Sequence, residues 1–142
     1  MSLNVLVVDD SAVMRSMVIK TLGLSGIATG EIHQACNGLE GLKLIEKNWI
    51  DLVLVDINMP VMNGQEMIEK LRANPDTADL PVIVVSTDGS AARVEMMQHH
   101  GARFVQKPFT AELLRDTILQ VTGATHDELA GNRAVQSDGP DF

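Results

Sequence analysis

Three apolar runs and one weaker strand candidate end in residues that could do chemistry together. Val5-Leu6-Val7-Val8 runs into Asp9-Asp10, and Leu52-Val53-Leu54-Val55 into Asp56. Val82-Ile83-Val84-Val85 runs into Ser86-Thr87, and Arg103 to Gln106 into Lys107-Pro108. Three carboxylates sharing one pocket repel one another, and at least one would hold its proton unless a cation intervened. Lys107 brings one positive charge and a divalent ion would bring two, which balances the three carboxylates. An oxygen-only ligand set, with no histidine or thiolate, suits a hard ion. Mg²⁺ is favoured over Ca²⁺, because so few protein ligands leave room for waters and a phosphate oxygen. Such a pocket is equipped for phosphoryl transfer to a carboxylate, with metal, lysine and hydroxyl holding the equatorial oxygens. Asp56 is the nucleophile candidate, since it alone follows the central strand.

Each residue also has a plainer reading. Asp10 or Ser11 could cap the helix that follows. Asp56 could be an ordinary loop carboxylate, Ser86 a strand-end hydrogen bonder and Lys107 a solvated surface lysine. None of these readings explains why all of them fall on the same edge.

That edge follows from the elements. The three strongest runs are β-branched and unalternating, the pattern of strands covered on both faces of a parallel sheet. Glu31 to Cys36 and Arg103 to Gln106 are weaker strand candidates. Between the runs, apolar residues recur at helical spacing: Met14, Met17, Val18 and Leu22, then Leu39, Leu42 and Ile45. Met67, Ile68 and Leu71 mark a third helix, Val94 and Met97 a fourth, and Leu114, Ile118 and Val121 a fifth with Thr110 at its N-cap. The eight methionines mostly sit at these spacings and read as core gap-fillers. Five βα units make an α/β three-layer sandwich, and right-handed crossovers put every strand's carboxyl end at one edge. Ligands bind at that edge in open α/β sheets.

Composition narrows the function classes. The chain has 142 residues, is 45% hydrophobic and carries a formal net charge of −8. One domain of this length buries a core without staples, and the single cysteine, Cys36, has no internal partner. A reducing, cytoplasmic setting is expected. No apolar run approaches the roughly 18 to 20 residues of a membrane span, and Met1-Ser2-Leu3-Asn4 lacks signal-peptide character. Nucleic acid is disfavoured as a partner by the acidic balance and by only three phenylalanines and one tryptophan for stacking. Residues 1–122 read as one domain and 123–142 as a flexible polar tail, with a short helix near Asp127 to Ala130 and no output domain.

With these motifs the chain resembles the receiver domain of two-component response regulators, in particular stand-alone receivers of the chemotaxis type, from about Asn4 to Thr122. Leu6-Val7-Val8-Asp9-Asp10-Ser11 with Met14-Arg15 is similar to the family's acidic pair. Val53-Leu54-Val55-Asp56-Ile57-Asn58-Met59-Pro60, with Met62-Asn63-Gly64, is similar to its phosphorylation motif. Pro81 to Ser86 resembles the switch strand, and Lys107-Pro108-Phe109 the closing motif. The resemblance implies a flavodoxin-like sandwich with a five-stranded parallel sheet of order 2-1-3-4-5. It implies that Asp56 accepts a phosphoryl group from a histidine kinase or phosphotransfer protein, with self-catalysed transfer and slow hydrolysis. Mg²⁺ would be held by Asp10 and Asp56 directly, by Asp9 largely through water, and by the Asn58 carbonyl. Lys107, beside a cis peptide bond, would pair with the phosphoryl group. Ser86 would move to it while Phe104 swings inward, and the face of helix 4, strand 5 and helix 5 would then change partners. Those partners are a downstream target protein and a possible phosphatase, the chain itself being a monomer or weak dimer. Asn58 and Asp88 stand where acyl-phosphate lifetime is set.

Some residues depart from the family pattern. Thr87 replaces the usual alanine and could narrow the approach to Asp56, and the loop before Phe104 is one residue short. Phe104 lacks the hydroxyl of the commoner tyrosine. His99 and His100 read as a solvated end to the fourth helix, and Trp49 and Cys36 as packing residues. Competing readings are a haloacid-dehalogenase-type phosphatase, a flavodoxin-like cofactor binder and a degenerate receiver. The first needs an acid where Asn58 stands, and the second would find Asp9-Asp10 repelling its phosphate. The third is opposed by the complete set of acids, Ser86 and Lys107.

Overall fold

The structure, a computed structural model, describes residues 2–87 and 89–123. Five strands and five helices alternate: β1 Leu3–Val8, α1 Ala12–Leu24, β2 Thr29–Ala35, α2 Gly38–Lys47, β3 Leu52–Val55, α3 Gly64–Ala73, β4 Val82–Ser86, α4 Ala91–His99, β5 Arg103–Gln106 and α5 Ala111–Thr122. The sheet order is β2-β1-β3-β4-β5 and every pairing is parallel. This is the expected doubly wound sandwich. Its order reverses at β1/β3, which opens the crevice at the carboxyl edge.

The apolar runs became strands because both faces are covered. Leu6, Val8, Val53, Val55, Val82 and Val84 pack towards Met67, Ile68, Leu71 and Met97. Val5, Val7, Leu52, Leu54, Ile83 and Val85 pack towards Val18, Leu22, Leu114 and Ile118 on the other face. Burying such side chains contributes roughly 1.5–3 kcal/mol apiece. The edge strand β2 is half-exposed and lacks a continuous apolar run. It begins two residues before the expected Glu31 and ends at Ala35. Thr110 caps α5 as expected, its hydroxyl accepting from Leu113 N at 3.0 Å.

Three expectations about packing need correction. Trp49 is not a packing residue: it is 77% exposed, because the inward position in the α2–β3 loop goes to its neighbour Ile50. Cys36 is also exposed, lying just past the last residue of β2. Among the methionines, Met59, Met67 and Met97 are buried, but Met17 and Met96 face outward. On α1 the sheet-facing stripe is Val18 and Leu22, and Met17, one residue round the helix, is turned away from it.

On the far side of the molecule, Arg72 of α3 ties three segments together. Its guanidinium donates to the carbonyls of Thr77, Ala78 and Leu80 in the α3–β4 loop and of His100 after α4. Burial pulls this guanidinium below its ordinary pKa, and the neighbouring Asp79 carboxylate opposes that shift. His99 ends α4 as expected, while His100 lies 3.9 Å from Glu69, a carboxylate from α3 that sequence spacing did not associate with it. Asp88 and the tail from Ala124 to Phe142, with its expected short helix, lie outside the described residues.

Candidate functional site

The acids sit one residue past the last rung of the sheet. Asp9 N donates to Ala35 O at 3.0 Å, and Asp56 N to Val8 O at 2.9 Å, so two strand ladders run directly into the pocket. Lys107 N donates to Ser86 O at 2.9 Å and brings the lysine in from the other side. Oxygens of Asp9, Asp10 and Asp56 all lie within 4.8 Å of one another. Lys107 Nζ is 3.2 Å from Asp9 Oδ2 and 3.9 Å from Asp56 Oδ2. The three acids and the lysine therefore meet, with the lysine nearer to Asp9 than to the nucleophile candidate.

Local bonding decides which oxygens stay available. Ser11, not Asp10, caps α1: its hydroxyl accepts from Met14 N at 3.2 Å, while Ser11 N donates to Asp9 Oδ1. Asp10 is left exposed at the mouth and Asp9 buried. Asp56 Oδ1 accepts from Ile57 N at 2.7 Å, which turns Oδ2 towards Lys107. Burial pushes the Asp56 carboxyl above its ordinary pKa; Lys107 and the Ile57 N–H oppose this, while Asp9 and Asp10 reinforce it. The donor set fits a hard divalent ion: three converging carboxylates outnumber the one ammonium among them, and among the described residues no softer ligand joins them.

The β3–α3 loop presses tightly on the nucleophile. Asn63 caps α3 and forms a reciprocal capping box with Glu66. A Cβ on Gly64 would stand 2.2 Å from Asp56 O, so only glycine lets the helix start this close. Val61 adopts a φ of 68°, costly for a β-branched residue, and such strain concentrates at functional loops. Asn58 is exposed in the same loop. Ser86 is buried at the end of β4, and Phe104 is half-buried in β5 opposite Val84. Thr87 and Lys107 line a groove of ≈ 300 Å³ with Met14, Met17 and Phe109, beside α1. The Lys107-Pro108 peptide is cis.

Sequence reading gave Arg15 and Gly64 no role of their own. Arg15 reaches back to donate to Asp9 O at 2.5 Å and to Gln34, bracing the acidic turn from behind. The readable signal for Gly64 was a poor helix former directly after an N-cap asparagine, which points to a close approach.

This geometry defines an α/β domain with an acidic pocket at the carboxyl edge of its parallel sheet. Residues 5–119 match the response regulator receiver domain family. The chain is 34% identical over 128 residues to the chemotaxis protein CheY homolog of Campylobacter jejuni, covering 89% of this chain and 97% of that protein. The high-resolution structure of Vibrio cholerae chemotaxis protein CheY4 superposes with a TM-score of 0.74 at 33% identity, covering 85% and 99%. A putative response regulator from Chloroflexus aurantiacus gives 0.78 at 25% identity, covering 87% and 99%. The chain belongs to the response regulator receiver family and functions in phosphorelay signalling.

Proposed function

We propose that Asp56 is the phosphoryl acceptor of this receiver and that Asp9, Asp10, Ser86 and Lys107 serve it. The observation that carries this reading is the meeting of three carboxylates within 4.8 Å, with Lys107 3.9 Å from Asp56 Oδ2. Asp56 Oδ2 attacks the phosphorus of a phosphohistidine whose other ring nitrogen carries a proton, the P–N bond breaks with its electron pair going to nitrogen, and the imidazole departs neutral. Mg²⁺ held by Asp9, Asp10, Asp56 and the Asn58 carbonyl would supply charge neutralisation for the incoming phosphoryl group. Lys107 exchanges its contact with Asp9 for a phosphoryl oxygen, a move of a few ångströms for a side chain already in the pocket. Water attacking the same phosphorus returns the free carboxylate and phosphate, and Asn58 and Asp88 set how fast.

The donor is a histidine kinase or phosphotransfer protein. Ser86 turns its hydroxyl to the phosphoryl group, Phe104 moves inward, and the α4–β5–α5 face changes its affinity for a downstream protein.

Intact mass after incubation with acetyl phosphate and Mg²⁺ tests this reading beside Asp56→Asn. One phosphoryl group should add to the wild type only, and chelating the metal should abolish it. Absence of an adduct, together with failure to bind beryllofluoride, would leave a constitutive binding module instead.

A further inference from the structure

The amino edge of the sheet carries a second recognition feature, which the phosphoryl chemistry does not use. The α2–β3 and α3–β4 loops enclose a groove of ≈ 550 Å³. Its apolar wall is Ile45, Ile50 and Leu80, and Trp49 stands over it 77% exposed. Trp49 is the chain's single tryptophan. Its Nε1 donates to Asp51 Oδ1 at 2.8 Å, and Asp51 Oδ2 accepts from Asn4 N, so the ring is held by its edge while its faces stay open. Three further carboxylates line the groove, Glu46, Asp76 and Asp79, all exposed, and among the described residues no lysine or arginine lines it. The loop carrying Asp76 and Asp79 is held in shape by Arg72, whose hydrogen bonds go to carbonyls behind it.

From the Trp49 ring over an acid-lined apolar groove, we infer that this surface docks a basic, amphipathic segment of a partner protein. Arginine is the fitting cation, because a guanidinium stacks on an indole face while its donors pair with carboxylates. An aliphatic residue beside it meets Ile45 and Leu80. Rigid, exposed aromatics of this kind are typical binding hot spots, and a loop already braced loses little entropy on binding. A second copy of the chain fits poorly, since two surfaces of a protein at −8 repel. The groove precedes β3 and β4, whereas Asp56 follows β3, roughly 16 Å along the strand at 3.3 Å per residue. Docking here is therefore independent of phosphorylation, a tether at the edge opposite the switch.

The test uses the full chain and a short fluorescein-labelled peptide of alternating arginine and leucine, followed by anisotropy, with Trp49 emission as a second signal. Trp49→Ala should weaken binding about tenfold. The triple variant E46Q/D76N/D79N should weaken it at least about fivefold. A charge-matched control on the opposite elements, E95Q/E112Q/D116N, should change it less than about twofold, as should beryllofluoride with Mg²⁺. Equal weakening by both triple variants would mean that net charge alone attracts the peptide and would overturn the site. A beryllofluoride effect of about fivefold or more would overturn the tether. A dimer seen by sedimentation and abolished by Trp49→Ala would assign the groove to a second copy instead. All seven substituted residues are exposed, so loss of binding with an unchanged thermal midpoint is the expected pattern.

Discussion

The two halves of the carboxyl edge are built differently. Around Asp9 and Asp56 the backbone is held from several sides: two sheet ladders end there, Ser11 and Arg15 brace the acidic turn, and Gly64 N donates to Ile57 O at 2.9 Å. The helix behind, α3, buries Gly64, Met67, Ile68 and Leu71 and starts with a capping box. Across the pocket, α4 is shorter, and Met97 is its one buried residue among the side chains described. Its N-cap Ser90 makes no side-chain capping bond, and β5 beside it is largely exposed. A pocket that must hold three like charges in register needs rigidity. A face that must change partners is drawn from the less stable part of the fold.

Gly64→Ala is the severest way to probe this contrast. The added methyl must displace Asp56 O, and a loss of about 3 kcal/mol in urea unfolding is expected, with impaired Mg²⁺ binding. Next come Met67→Ala and Met97→Ala, both fully buried side chains. Each should cost about 2–4 kcal/mol if its surroundings are equally rigid. We expect Met67→Ala to lower the global midpoint more, and Met97→Ala to raise hydrogen exchange mainly within α4. Equal global losses, with no local change in α4, would erase the distinction. Asn63→Ala, which removes the capping box, should cost about 1 kcal/mol.

The smallest effect concerns charge. Because the folded state holds the Asp56 proton more tightly than the unfolded chain does, its carboxyl favours folding at low pH. That contribution is fully present below the ordinary value of 3.8 and is lost as pH rises through the raised one. In chelator at neutral pH, Asp56→Asn should therefore melt slightly above the wild type, and the gap should close towards pH 4. Added Mg²⁺ should reverse the order by stabilising the wild type. A difference independent of pH would show that burial does not disfavour the carboxylate.

Much of the fold was legible because β3 and β4 are unbroken apolar runs that can be satisfied only between two helical layers. The position of Asp56, Ser86 and Lys107 at strand ends followed from the same parallel topology. What residue types could not convey was direction. Helical period grouped Met14 and Met17 with Val18, although only Val18 faces the sheet, because α1 carries apolar residues on more than one side. Trp49 reads as a packing residue from its type, but a loop gives no alternation to decide between it and Ile50. The preference of Lys107 for Asp9 over Asp56 depends on tenths of an ångström, which no spacing encodes.

Arg72 sets a limit on how this chain can be re-engineered. Surface loops such as 74–80 are ordinarily where added residues are tolerated and where a peptide or a second domain can be spliced in. Here one side chain donates to Thr77, Ala78 and Leu80 and to His100 in a different segment. Lengthening the loop would pull those acceptors out of reach together and strand a half-buried cation. Insertions here should cost more than loop-closure entropy alone, and the loop's length and Arg72 must be varied as a pair.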